Sequence, residues 1–363
     1  MAQNLNLNAD TDVTELTRAI CDIESVSGNE AAIADAIEAS LTQLPHLTVT
    51  RNADAIVART NLNRATRIII AGHIDTVPVA ENLPTEFREI NGERHLWGRG
   101  TVDMKAGVAV QLKLAATLSN PTADLTWIFY DHEEVDASLN GMGRLARQNP
   151  DLLAGNFAVL CEPTSAIIEG GCNGTMRIEV AAKGVKAHSA RAWMGKNAIH
   201  GLTDVLSVLS NYEPQEIEVD GLSYRESLNA VLIGGGIATN VIPDAAVVTV
   251  NYRFAPSKSI AEAEEHLRSL FSNIDDVTIT VTDASAGARP GLDQQAAQAF
   301  IAATGLETRP KYGWTDVARF SALGIPAVNF GPGDPNKAHA DDESVPVWQI
   351  YSCEEALRKW LTA

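Results

Sequence analysis

Hydrophobic and polar positions fall into two textures along the chain. In the first, short unbroken apolar runs rich in β-branched residues are separated by stretches of helical spacing. Arg67-Ile68-Ile69-Ile70-Ala71-Gly72, Asp124 to Tyr130 (DLTWIFY) and Phe157 to Cys161 read as buried strands, and Lys105 to Leu118 (KAGVAVQLKLAATL) as a helix. Behind a polar leader, Thr11 to Ser25 has helical spacing. Ser27-Gly28-Asn29-Glu30 fits a capping box before an Ala-rich helix ending near Leu44, and Leu47 to Ala58 holds one or two strands. Strands alternating with helices predict a doubly wound α/β unit with a mostly parallel sheet, whose functional groups lie beyond the carboxyl ends of its strands.

Near residue 175 the texture changes. Thr175 to Lys183 alternates like a half-exposed strand, Asn197 to Leu209 has helical spacing, Leu228 to Ile237 and Ala246 to Phe254 read as strands, Ile260 to Phe271 as a helix, and Val277 to Asp283 as a strand. That order, βαββαβ, is the ferredoxin-like unit. From about Ala286 the first texture returns, with an Ala-rich helix, a strand over Ile325 to Phe330, His339 in a polar loop, and a last helix from about Val347 to Leu361. The pattern therefore predicts a doubly wound domain in two parts, 1–174 and 286–363, with a domain of residues 175–285 inserted between them.

Composition narrows the function. The 363 residues, 45% hydrophobic and 20% charged, suit a globular protein with a large core, and the formal charge of -18 argues against nucleic acid or an anionic membrane as partner. No basic segment followed by an apolar run opens the chain, and no stretch approaches the length of a membrane span, so a cytoplasmic protein is expected. Cys21, Cys161, Cys172 and Cys353 lack CxxC spacing and sit among apolar residues, as buried reduced thiols would.

Candidate chemistry gathers at the strand ends. Leu96 to Lys105 (LWGRGTVDMK) turns tightly at Gly98 and Gly100 and delivers Asp103 at a loop-to-helix junction, where an isolated Asp is ordinarily an N-cap. The strands place His73 and Asp75, Glu133 and Glu134, and Glu162 at comparable exits, and His339 joins them from its loop. Two His and three carboxylates among His73, Asp103, Glu134, Glu162 and His339 suit two metals sharing one bridging carboxylate. Asp75 can hold the His73 imidazole by its other nitrogen, and one of Glu133 and Glu134 can bind metal while the other moves protons. His46, His95, His132, His200 and His266 lack that setting and read as surface or structural.

Gly72-His73-Ile74-Asp75-Thr76-Val77-Pro78, Gly98 to Gly107 (GRGTVDMKAG), Glu133-Glu134 and Cys161-Glu162-Pro163 together resemble the aminoacylase and carboxypeptidase family of dinuclear zinc amidohydrolases, in an order that spans nearly the whole chain. The resemblance implies two zinc ions, for which cobalt can substitute. His73 and Glu162 would hold one, Glu134 and His339 the other, with Asp103 bridging, Asp75 orienting His73 and Glu133 as base. It also implies a cis peptide at Asp103-Met104, and makes the inserted domain a lid and dimerisation domain. Lys183 to Ala190 (KGVKAHSA) resembles the family motif whose His, here His188, would bind the oxyanion across a homodimer, although the Pro often found a few positions later is absent. The motifs around Asn229 to Asp244, Asn251 to Phe254 and Gly313 to Phe320 resemble the branch acting on succinylated amines. They imply a small substrate with several carboxylates, contacted by Asn240, Arg253 and Thr315. N-acetylornithine deacetylation, an aminoacylase, a dipeptidase and a non-catalytic metal-binding scaffold are the alternatives.

Overall fold

A computed structural model describes residues 5–363; residues 1–4, the head of the polar leader, lie outside the described residues. The chain forms two compact units: one of Met1–Gly170, Gly291–Arg309 and Arg319–Ala363, the other of Gly171–Pro290 and Pro310–Ala318. Among the described residues no helix is long and apolar enough to cross a membrane.

The first unit is built on an eight-stranded sheet. Its order is Thr48–Asn52, Ala55–Arg59, Asp124–Tyr130, Arg67–His73, Phe157–Leu160, Ala327–Asn329, Ile168–Gly170, Thr308–Pro310. The four central strands, from Asp124–Tyr130 to Ala327–Asn329, run parallel, and antiparallel pairs flank them on both sides. Every residue of Asp124–Tyr130 and Phe157–Leu160 is buried, as their unbroken apolar runs require of strands covered on both faces. The helix Lys105–Thr117 is buried along almost its whole length, against Val13–Cys21, Val347–Thr362 and the strand Arg67–His73.

Two local expectations are corrected. The Ala-rich helix runs Ala31–Leu41 with Glu30 at its N-cap and no side-chain cap bond, so Ser27 and Glu30 do not form a capping box. Both are recruited elsewhere: the Ser27 hydroxyl donates to Asp75 Oδ2 (2.6 Å) and Glu30 Oε1 accepts the His132 N–H (3.1 Å). In the second unit the helix expected from Asn197 begins at Thr203 behind a 3-10 turn at His200–Leu202. Asn197 Oδ1 accepts from the backbone N–H groups of Ile199 and His200, and that local turn competes with helix.

The second unit contains an antiparallel sheet ordered Ser227–Gly235, Ala245–Phe254, Gly174–Lys183, Val277–Ser285. With helices Thr203–Ser210 and Ile260–Leu270 it has the ferredoxin-like order, and a capping box of Ser259 and Glu262 starts the second helix. Met176, Ile178, Val180, Val248, Val250 and Tyr252 form the core of one face with Val205 and Leu267 from the helices. The alternate residues Thr175, Arg177, Asn251 and Arg253 fall on the other. Asn173 N–H donates to the Lys311 carbonyl (3.2 Å) and Trp314 Nε1 to the Ala286 carbonyl (3.1 Å), which draws the later segment Pro310–Ala318 into this unit.

Candidate active site

The strands Asp124–Tyr130, Arg67–His73 and Phe157–Leu160 are neighbours with a common direction, so their carboxyl ends emerge side by side. His73 ends one, Glu133 and Glu134 follow the second within four residues, and Glu162 lies two beyond the third. His73 and Glu162 are buried. Asp103 reaches the same place from the turn before Lys105–Thr117, where Gly98 (φ 145°) and Gly100 (φ 80°) take backbone angles that suit glycine. The N-cap position belongs to Met104, with no side-chain cap bond, so Asp103 is free of that structural role. The Asp103-Met104 peptide is cis, as the family resemblance implied.

Asp103 presents one carboxylate oxygen to each imidazole: Oδ1 is 3.1 Å from His73 Nε2, and Oδ2 is 3.3 Å from His339 Nε2. His339 Nε2 also lies 2.9 Å from Glu134 Oε1. Ligand atoms of His73, Asp103 and Glu162 fall within 4.8 Å of one another, as do those of Asp103, Glu134 and His339. The two triads share Asp103. Each offers one imidazole, one carboxylate of its own and a share of the common one, a donor set that fits a divalent ion of the zinc type. The His339 side chain is 52% exposed, so one side of the cluster stays open to water and substrate.

Electrostatics agree with a cluster assembled to hold cations. Burial would lower the His73 pKa, but Asp103 and Asp75 outweigh it and hold it well above the usual imidazole value. Hydrogen bonds to Asp103 and Glu134 raise His339 to about 10. Burial and then the Asp103 charge raise Glu134. For Asp103, burial is outweighed by the two imidazoles, which depress its carboxyl.

Asp75 does more than face His73. The His73 Nδ1 makes its shorter contact, 3.0 Å, with the Asp75 backbone carbonyl and lies 3.5 Å from carboxylate Oδ1. That carboxylate accepts the N–H of Glu133 on Oδ1 (3.0 Å) and, on Oδ2, the N–H of Glu134 (3.0 Å) and the Ser27 hydroxyl (2.6 Å). One fully buried group thus sets the imidazole and both glutamates. Burial would raise its pKa, yet His73, Ser27 and Glu133 bring it to about 2. The Ser27, Glu30 and Glu343 contacts around this centre carried no signal in the sequence.

The other expected residues lie in the second unit. His188 is exposed and pairs with Val241 in a two-residue ladder, while Ser189 N–H donates to the Asn240 carbonyl (2.9 Å), which brings His188 and Asn240 together. The His188 Nδ1 accepts from Ala190 N–H (3.0 Å), leaving the ring proton on Nε2. Arg253 is half-buried, its Nε donating to Asn251 Oδ1 (3.1 Å). Its pKa is lowered by burial and then by the charge of Arg177, so two guanidinium groups share this face. Arg177 was not singled out in the sequence, where a lone Arg on an alternating strand reads as a solvated position. Thr315 is buried in the returning segment, its carbonyl facing Cys172 Sγ (3.8 Å).

Residues 69–363 match the family described as "Peptidase family M20/M25/M40". The chain is 47% identical over 355 residues to the succinyl-diaminopimelate desuccinylase of Corynebacterium glutamicum, covering 96% of this chain and 95% of that one. It is 54% identical over 351 residues to a Mycobacterium tuberculosis protein named provisionally for the same activity, covering 96% and 98%. Among solved structures, a tripeptidase from Staphylococcus aureus superposes with a TM-score of 0.78 over 98% of both chains at 19% identity, a likeness of fold. With the matched region covering most of the chain and the cluster of His73, Asp103, Glu134, Glu162 and His339 inside it, the protein belongs to peptidase family M20/M25/M40.

Proposed function

We propose that this protein is a dinuclear metal-dependent amide hydrolase that cleaves N-succinyl-LL-2,6-diaminopimelate to succinate and LL-2,6-diaminopimelate, a cytoplasmic step of bacterial lysine and cell-wall precursor synthesis. The observation that carries the chemistry is the pair of triads sharing Asp103. Support for the substrate comes from the nearly full-length relatives that bear this activity's name. His73 and Glu162 would hold one ion and Glu134 and His339 the other, with Asp103 contributing to both; zinc would suit these nitrogen and oxygen donors, and cobalt could replace it. When bound, such ions polarise the acyl carbonyl and acidify water.

The chain's own residues carry the proton and the charge. Glu133, held at its backbone by Asp75, takes a proton from the attacking water as the water oxygen bonds to the acyl carbon. It passes that proton to the amine nitrogen as the carbon–nitrogen bond breaks. The Nε2–H of His188, supplied by the partner of a homodimer, donates to the oxyanion. A homodimer is supported by the edge strand Ser227–Gly235, where Asn229 to Gly235 are all exposed and Leu232 is 70% exposed. A long apolar edge of this kind invites pairing with another chain. Residues 175–285 would serve as the lid and dimerisation domain, with Asn240 lining the lid side and Arg253, beside Arg177, gripping a carboxylate, while Thr315 from the returning segment would bond the substrate backbone.

Turnover of N-succinyl-LL-2,6-diaminopimelate beside N-acetylornithine tests the substrate. The succinylated amine should be strongly preferred, and Arg253→Lys should reduce that preference while leaving metal content intact, because an ammonium cannot reproduce a bidentate grip. A preference for N-acetylornithine would overturn the substrate and leave the family standing.

A further inference from the structure

Glu343 is fully buried four residues beyond His339, although it closes the acidic run Asp341-Asp342-Glu343 whose first two members are exposed. Its Oε1 accepts two successive backbone N–H groups, those of Val102 (2.8 Å) and Asp103 (3.1 Å). Its Oε2 accepts from Arg99 Nη1 (2.8 Å), and Arg99 is itself 3% exposed. The Arg99 guanidinium also donates to the carbonyls of Pro78 (3.1 Å) and Ala340 (3.3 Å), and Gly98 N–H donates to the Glu343 carbonyl (3.0 Å). Beyond the loop, Ser344 pairs with Trp97 in a small sheet.

We infer that Glu343, with Arg99 as its counter-charge, is a positioning residue for the metal centre: it fixes the backbone of Asp103 and locks the Asp103 turn to the loop that carries His339. The inference rests on the dinuclear reading above and adds a residue that touches neither substrate nor metal. Asp103 directs one oxygen toward each imidazole, so a shift of its backbone disturbs both triads together. His339, on the far side of the same loop, is displaced by the same loosening. A residue serving only the fold would cost stability and leave the ligand geometry of the folded protein alone; Glu343 holds the amide of a ligand directly. Groups that orient metal ligands from behind contribute on the order of 10- to 100-fold to metal affinity.

Co2+ binding to metal-free protein, followed by calorimetry and by the visible absorption of the bound ion, tests this. Wild-type protein should take two equivalents; failure to do so would sink the dinuclear reading itself, independently of Glu343. Glu343→Gln keeps the shape but turns a donor toward either Arg99 or the two amides. It should bind both equivalents roughly 10- to 100-fold more weakly and with altered absorption at both sites. His339→Ala should lose one equivalent only, which separates a shared defect from a local one. Glu343→Asp keeps the charge opposite Arg99 but falls one methylene short of the amides. It should show the same two-site weakening to a smaller degree and provides the measurement if the Gln variant does not fold. A folded variant of either kind with wild-type affinities and spectrum overturns the inference. So does failure of both to fold, since Glu343 would then be a structural residue.

Discussion

Asp75→Asn separates two ways in which a buried carboxylate can support this site. The wild-type carboxylate accepts from Glu133 N–H on Oδ1 and from Glu134 N–H and the Ser27 hydroxyl on Oδ2. An amide has one accepting oxygen. Its better orientation keeps that oxygen toward Ser27 and Glu134 and turns the NH2 against the Glu133 N–H, which is left without an acceptor. A buried donor stranded in this way costs about 1–3 kcal/mol, and the remaining bonds lose their charge assistance, so a total loss of about 2–4 kcal/mol in stability follows. His73 suffers less, because its Nδ1 keeps the Asp75 carbonyl at 3.0 Å and with it the ring orientation. The damage therefore falls on Glu133: a displacement on the order of 1 Å can cost about a hundredfold in rate. The assay is kcat against metal concentration. Metal loading should reach two equivalents in excess metal while kcat stays about a hundredfold low and KM changes little. Recovery of wild-type kcat on adding metal would show that Asp75 acts only through His73, and would refute the argument.

Glu133→Gln should retain both metals and lose nearly all turnover, whereas His339→Ala should lose one metal; equal metal loss from both would deny the division of labour between Glu133 and the ligands, as read by metal analysis of the purified proteins. Mixed dimers of His188→Ala and Glu133→Ala subunits should regain activity, since one site per dimer would pair an intact Glu133 with an intact partner His188; no recovery in proven mixed dimers would place His188 in its own subunit's site. Metal-free protein should lose stability as pH rises. Folded-state values lie above the usual 6.5 for His73 and near 10 for His339, so their contribution is fully present below about 6.5 and is lost as pH climbs through the folded values. Melting curves from pH 6 to pH 10, roughly the window those values set, should show this fall without metal and not with it, because bound metal keeps both imidazoles neutral; parallel profiles would contradict the assignment.

Much of the fold was legible because burial on two faces leaves a strong mark. A strand such as Asp124–Tyr130 can only read as an apolar run, and the alternation of Gly174–Lys183 announces a sheet covered on one side. The hairpin Glu86–Ile90 with Glu93–Trp97 left no such mark, since its positions are mostly exposed or half-exposed and EFREI keeps no two-residue apolar period. The helix Gly141–Gln148 opens on two glycines in its first three positions, which hides its tendency to coil. At Asn197 the apolar spacing was real, but a side-chain oxygen that satisfies local N–H groups delays the helix by six residues. Periodicity reports which face is covered and is silent about who satisfies the backbone at the ends.

The same distinction divides the site. The residues at strand exits could be found because an α/β sheet dictates where its chemistry sits, and the order of motifs then resembled a known family. Ser27, Glu30 and Glu343 could not, because each has an equally good local explanation. Ser27 and Glu30 have capping-box spacing, and Glu343 ends an acidic loop that any soluble protein can display. What removes Glu343 from solvent is an amide pair 240 and 241 residues away in sequence and an arginine 244 away. No window along the chain contains both partners. The carboxylate and the guanidinium are each costly to bury alone, and each is tolerable only because the other and several backbone groups meet it in place. That mutual dependence requires the turn bearing Asp103 and the loop bearing His339 to assemble together. Two segments of the first unit, separated in sequence by the second, are thereby held together around Asp103 and His339.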